Sequence, residues 1–404
     1  MTLSDLAPVP PHVDPALVRD FDIYNDMGLL TDPHARYVEL LRDAPSFFWT
    51  PRNGGHWVAC GYQTVSKVYR DFRVFGNDNL GIPKPPVMPA RKAFIPSQLD
   101  PPEHAAYRRL VDTLFTPARL AAMEEDVRAL CNSLIDEFID KGRCEFVSQF
   151  ALPLPVLIFL NRMGIPSDRY EELAGWVQEH NSGKTAEARL AALDRIASFM
   201  RAILDRAIDG HHDDWVSELL QMRLGDQLLP RDDVVLPMAI TIFFGGLDTV
   251  KNALAHIALV LASRPDLQTM IARREVNLAN AVEELLRFRG LVNQQRIVRQ
   301  DTAFEGAQIR VGEMVHICNG TSGLDPKANA CPMAIDLERT GIKHNTFGQG
   351  RHFCAGAPLA RLELRIFLEE WFARIPQFRL ANDKIERSTG LINTIESLHL
   401  AWKD

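Results

Sequence analysis

Apolar residues recur at three- and four-residue spacing through much of the segment from Pro117 to Ile208, with Leu130, Leu134, Ile135 and Phe138 forming one such stripe. That periodicity predicts a largely helical stretch. The segment from Val234 to Arg264 has a different pattern. It is almost wholly apolar from Val234 to Leu247 and then carries Asp248, Thr249, Lys251 and Asn252. Asp233 can cap a helix there, and Arg264-Pro265 ends it. A helix of about 30 residues, apolar on every side, is expected to run buried through the molecule. Roughly fourteen apolar residues before the first acid are too few to span a membrane. Pro237, near the first turn, allows a later start or a kink. Gly245-Gly246 costs about 1 kcal/mol per glycine relative to alanine. Either something approaches the backbone closely at that point, or the helix packs loosely against a neighbour.

Strand signals are fewer. Phe47–Thr50 and His56–Cys60 flank Arg52-Asn53-Gly54-Gly55, which predicts a hairpin. A second hairpin is expected at Ile309–Cys318, turning at Gly312-Glu313. With a further strand-prone stretch, the β-rich parts fall near residues 47–65, 302–318 and 388–400. Residues 1–30 form a surface-hugging arm, because Pro8, Pro10, Pro11 and Pro15 prevent a long helix. No internal repeat or linker divides the chain. The expected architecture is mainly α: one large domain over residues 1–404 with small sheets at one side.

Composition changes this picture little. Of 404 residues, 46% are hydrophobic and 24% charged, an ordinary globular mixture. A formal net charge of −7 argues against a nucleic-acid binder driven by bulk charge. The first residues are polar, Pro-rich and acidic, unlike a signal peptide or membrane anchor. The six cysteines, Cys60, Cys131, Cys144, Cys318, Cys331 and Cys354, lie far apart and form no CxxC pair. They read as reduced thiols of a cytoplasmic protein.

Chemistry concentrates near the C-terminus. In Phe347-Gly-Gln-Gly-Arg-His-Phe-Cys-Ala-Gly356, Gly348, Gly350 and Gly356 surround one Cys just before an amphipathic helix. Glycines free the backbone for a tight loop whose N–H groups can point at the sulfur. The helix N-terminus favours a thiolate, a soft ligand suited to iron. The same residues would also suit an ordinary glycine-rich loop around a free thiol.

This segment resembles the haem-binding FxxGxxxCxG signature of the cytochrome P-450 family of haem-thiolate monooxygenases. Glu284-Leu-Leu-Arg287 resembles the family's ExxR motif, and Gly245-Gly246-Leu247-Asp248-Thr249 its oxygen-activation motif on the long distal helix. The segments GGLDTV, LDPPEH and SGLD with NACPM are similar to those of soluble bacterial members that hydroxylate camphor. The resemblance implies haem b (iron protoporphyrin IX) as cofactor, with Cys354 as the metal ligand and Phe347, Gly356 and Gly245 around it. It also implies that His104, Arg108, Arg296 and His352 hold the propionates. Glu284 and Arg287, one turn apart, would be completed by Arg339 and would fix the Cys loop.

On the distal side, Thr241, Gly245, Thr249 and Asn252 share one helix face. The resemblance implies that Gly245 leaves room for dioxygen or substrate, that Thr249 offers a hydroxyl to the reacting oxygen, and that Asp248 relays protons. By family position, the substrate pocket comprises Lys92, Phe94, Thr241, Phe244, Val292, Leu391 and Ile392. Mostly apolar and bulky, it suits a terpenoid or norisoprenoid. Lys92 stands where a camphor hydroxylase has its tyrosine donor. No GxGxxG follows a strand, so electrons are expected from a [2Fe–2S] ferredoxin with a separate reductase. Arg73, Arg109 and Lys343 are candidate docking cations. A peroxide-driven haem enzyme and a non-catalytic haem carrier or sensor are the alternatives. The Asp248-Thr249 pair argues against both.

Overall fold

The computed structural model describes residues 6–78, 81–84, 93–183, 185–208 and 213–403. Long helices dominate: Pro117–Asp136, Pro153–Met163, Tyr170–Ser182, Ala186–Ile208, Leu236–Leu247, Thr249–Ala262, Leu278–Phe288 and Ala357–Arg374. At one side lies a five-stranded sheet in the order Phe47–Thr50, His56–Ala59, Met314–Ile317, Gln294–Val298, Phe75–Gly76. Its pairings are antiparallel except that of Met314–Ile317 with His56–Ala59. This sheet has its own small core, built on Phe47, Trp57, Val65, Val68, Phe75 and Val315. A far larger core fills the helical part. The first expected hairpin forms with Phe48 opposite Val58.

Three expectations need correction. The hairpin at Ile309–Cys318 does not form. Ala307–Ile309 pairs backwards with Thr302–Phe304, and Met314–Ile317 enters the large sheet instead. The turn at Gly312 is real, with φ +85°, but the strands on either side of it diverge. The N-terminal arm hugs the surface only at first. Phe21, Ile23 and Tyr24 are buried in the main core, and Val18 bridges to Trp49.

The third correction concerns the long apolar helix. It opens with a wide turn over Arg231–Val235 and is broken at Asp248, whose backbone (φ −131°, ψ −28°) leaves the helical region. The two halves, Leu236–Leu247 and Thr249–Ala262, are long and apolar enough together to cross a membrane, yet most of that surface is buried inside the protein. Nearly every residue of the second half is buried. The two glycines just before the break do different work. A Cβ on Gly246 would lie 2.2 Å from the Phe159 ring, so glycine is required there for close packing. A Cβ on Gly245 would meet nothing within 4 Å.

Candidate functional site

The Cys354 loop is shaped by its own backbone. Gly348 and Gly350 take left-handed φ values of +71° and +69°, which glycine adopts without strain. Cys354 N–H then donates to Phe347 C=O at 2.9 Å, closing the loop ahead of the helix Ala357–Arg374. Cys354 is an exposed residue, yet burial in dense protein pushes its thiol pKa up. A group with open surface and little surrounding water lies on the wall of an internal cavity. Backbone N–H groups of Gly356 and Ala357, with the Arg108 and Arg361 charges, act the other way and favour the thiolate.

Behind the loop, Glu284 and Arg287 are fully buried. Arg287 grips Glu284 with two bonds, at 2.7 and 2.8 Å, and donates to the carbonyls of Gly323, Pro332 and Ala334. Arg339 Nε reaches both Glu284 oxygens, at 3.1 and 3.0 Å, and the Asp336 N–H adds a fourth donor group. Such a carboxylate between two guanidinium groups has little freedom to move. Sequence reasoning missed a second tether. Glu283 binds Arg361 at 2.6 Å, and that guanidinium lies 4.4 Å from the centre of the Phe347 ring.

The predicted propionate partners gather around the same loop in different states. His104 and His352 pack with ring centres 4.2 Å apart and planes tilted by 51°, and His352 Nε2 lies 3.3 Å from Asp100. Burial, then the neighbouring His352, holds the His104 pKa down to about 4. Arg296 is buried, lies over the Tyr69 ring and, among the described residues, makes one hydrogen bond, to Gln295 C=O. A buried guanidinium with so few acceptors is poised for an anion. Arg108 instead bonds Asp112 and the carbonyls of Phe353 and Arg351, so it braces the loop itself.

On the split helix, Gly245 is exposed and Thr241, Phe244 and Thr249 are half-buried, all on one face of an otherwise buried rod. That face therefore lines a cavity. Thr249 Oγ1 donates to Gly245 C=O at 2.9 Å. Asp248 points elsewhere, into a polar cluster. It accepts from Lys251 Nζ at 2.8 Å, Asn252 Nδ2 at 2.9 Å and Asn181 Nδ2 at 3.0 Å. Lys251 also reaches Gln178. Asn181 and Gln178 belong to the helix Tyr170–Ser182, and neither carried a sequence signal.

The pocket residues partly converge. Phe94 packs edge-on against Phe244, with ring centres 5.1 Å apart. Val292 bridges to Ile392, and Leu391 N–H donates to Asn181 C=O. Thr241 gives its hydroxyl proton to Pro237 C=O. Lys92 lies outside the described residues.

This donor set fits the haem implied by the motifs: a cavity-facing sulfur under N–H groups, a buried guanidinium short of acceptors, and a helix face left open at a glycine. The cytochrome P-450 family model matches residues 168–375. The chain is 33% identical to probable cytochrome P-450 127A1 of Sinorhizobium fredii, over 98% of this chain and 97% of that one. It is 24% identical to linalool 8-monooxygenase of Pseudomonas putida, over 91% and 95%. The solved structure of CYP101J2 superposes with a TM-score of 0.88 at 33% identity, covering 99% of this chain and 100% of that one.

Proposed function

The chain belongs to the cytochrome P-450 family, and from that premise we propose that this monooxygenase hydroxylates a small apolar terpenoid or norisoprenoid with electrons from a [2Fe–2S] ferredoxin. The observation that carries the site assignment is the cavity-facing but desolvated sulfur of Cys354. In this reading Cys354 ligates the iron, and Arg296, His104 and His352 hold the propionates. Arg108 acts through the loop it braces. The Glu284, Arg287 and Arg339 clamp keeps the sulfur in place. When bound, haem supplies the oxidising power for C–H hydroxylation.

The chain's own residues then handle water and protons. The open face at Gly245 admits dioxygen and substrate. Thr249, released from the Gly245 carbonyl, turns its hydroxyl toward the reacting oxygen. Asp248 exchanges its neutral amide donors for Thr249 and passes a proton along, while Lys251 Nζ, 2.8 Å away, holds the carboxylate in position. The acid–alcohol pair is the feature that favours dioxygen over peroxide as the oxidant.

Phe94, Phe244, Val292, Leu391 and Ile392 present apolar surface, worth about 25 cal/mol per Å² buried. Linalool, the substrate in the name of one relative, is of the same chemical class. Arg73, Arg109 and Lys343 are exposed and have no ion-pair partner among the described residues. Arg109 adjoins the loop-bracing Arg108, which suits an acidic ferredoxin on that face. The cytoplasm, where such a reductant is supplied, is the proposed location. Ferric-state titrations test the substrate class: β-ionone should bind more tightly than camphor and convert more of the iron to high spin. Tighter binding of camphor would overturn it.

A further inference from the structure

One imidazole in the pocket wall has no role in the mechanism above. His180 sits on the helix Tyr170–Ser182, one residue before the Asn181 that holds Asp248. Its ring centre lies 4.8 Å from that of Phe244 and 5.9 Å from that of Phe94. The strand turn carrying Leu391 is bonded to the next residue, Asn181. His180 thus lies where four pocket-lining segments meet.

Its chemistry is set from behind. Nδ1 lies 3.0 Å from Arg189 C=O, and a carbonyl only accepts, so Nδ1 carries the proton. Burial holds the pKa below its ordinary value, so the ring is neutral and Nε2 presents a lone pair. Among the described residues, Nε2 has no partner. The side chain is only half-buried although strongly desolvated, the same combination that places Cys354 on a cavity wall. Neighbouring polar groups are engaged elsewhere: Thr241 donates to Pro237, and Asn181 to Asp248.

We propose that His180 is a specificity-determining residue whose Nε2 accepts a hydrogen bond from a hydroxyl of the substrate, so that the preferred ligand is an apolar alcohol rather than a ketone, ether or hydrocarbon. The proposal rests on the terpenoid reading of this cavity. A ketone would set one acceptor against another, and a hydrocarbon would leave Nε2 desolvated and unpaired. A site built around a substrate hydroxyl discriminates against analogues that lack it.

The test is a matched set, β-ionol, its O-methyl ether and β-ionone, titrated into the ferric holoenzyme and read by spin state and calorimetry. Wild type should bind the alcohol about tenfold more tightly than the ether, equivalent to one hydrogen bond. His180→Phe should bring that ratio near one. His180→Gln, which keeps an acceptor at similar reach, should retain part of it. Equal binding of alcohol and ether by wild type, or an unchanged ratio in His180→Phe, overturns the proposal. If no terpenoid binds, the substrate class falls on its own. The ratio is then read with testosterone and its methyl ether under the same criterion.

Discussion

The clamp behind the Cys loop and the break in the long helix both bury a carboxylate, and they hold it in opposite ways. Glu284 is gripped by two guanidinium groups whose remaining N–H groups are committed to carbonyls of two chain segments, Gly323 and the stretch from Ala330 to Ala334. Asp248 is held by one ammonium and two amides, on a stretch where the helical hydrogen-bond pattern has already lapsed. The first arrangement has no second state of similar energy, which suits a part that must present a sulfur in one place. The second can trade one neutral donor for another at small cost, which suits a part that must move protons. The same contrast recurs between adjacent glycines: Gly246 is wedged against Phe159, while Gly245 opens onto the cavity.

The largest effect should come from breaking the clamp. Arg287→Ala leaves the buried Glu284 carboxylate with only Arg339 and the Asp336 N–H, and removing one partner of a buried ion pair costs about 3–5 kcal/mol. The expected result is loss of folded holoprotein, seen as low haem content and a collapsed thermal transition. A stable, haem-replete Arg287→Ala would show that the clamp is dispensable.

The helix break should respond kinetically instead. Asp248→Asn should slow turnover by about 100-fold, the lower range for a positioned proton donor; because it leaves the buried Lys251 ammonium without its counter-charge, stability falls as well, and the rate is therefore read per haem-loaded protein. Thr249→Ala should keep substrate binding but divert reducing equivalents to hydrogen peroxide, measured as peroxide formed per NADH consumed. Wild-type rate and stoichiometry in both variants would remove the relay from the account.

The glycine pair offers a smaller contrast. Gly246→Ala should destabilise by about 1–3 kcal/mol through overpacking against Phe159. Gly245→Ala should fold at least as well as wild type but bind substrate more weakly. Equal melting temperatures would contradict the packing argument.

A further effect, seen only through pH, concerns Glu363, on the face of Ala357–Arg374 that is buried in the core. Burial alone raises its pKa to about 8. In the unfolded chain it ionises near 4.5, so between these values the folded state holds the extra proton, and stability falls as pH rises through about 8. Glu363→Gln should flatten that decline, measured by thermal melts between pH 5 and about 9. A parallel decline in the variant would place the pH sensitivity elsewhere.

The parts legible in the sequence are those where local chemistry dictates the outcome. The hairpin at Phe47–Ala59 follows from its glycine turn, and the Cys354 loop from glycines that must take left-handed φ. The parts that were not legible depend on partners far along the chain. Met314–Ile317 leaves its expected hairpin because Gln294–Val298 and His56–Ala59 compete for it. Asp248 at the break bonds Asn181 and Lys251, contacts that periodicity cannot register. His180 and Gln178 gave no signal, since single polar residues on an amphipathic helix are common on any surface.

The sulfur of Cys354 is the group on which every other role at the site depends, and the most direct measurement of it is the absorbance spectrum of the reduced carbonyl complex of purified holoprotein. Thiolate ligation places its main band at the long-wavelength position typical of the family. Cys354→His should shift it to the shorter wavelength of imidazole ligation, whereas Cys60→Ala and Cys318→Ala should leave it in place. A short-wavelength band in fresh, active wild-type protein, or a long-wavelength band that survives Cys354→His, would contradict the assignment.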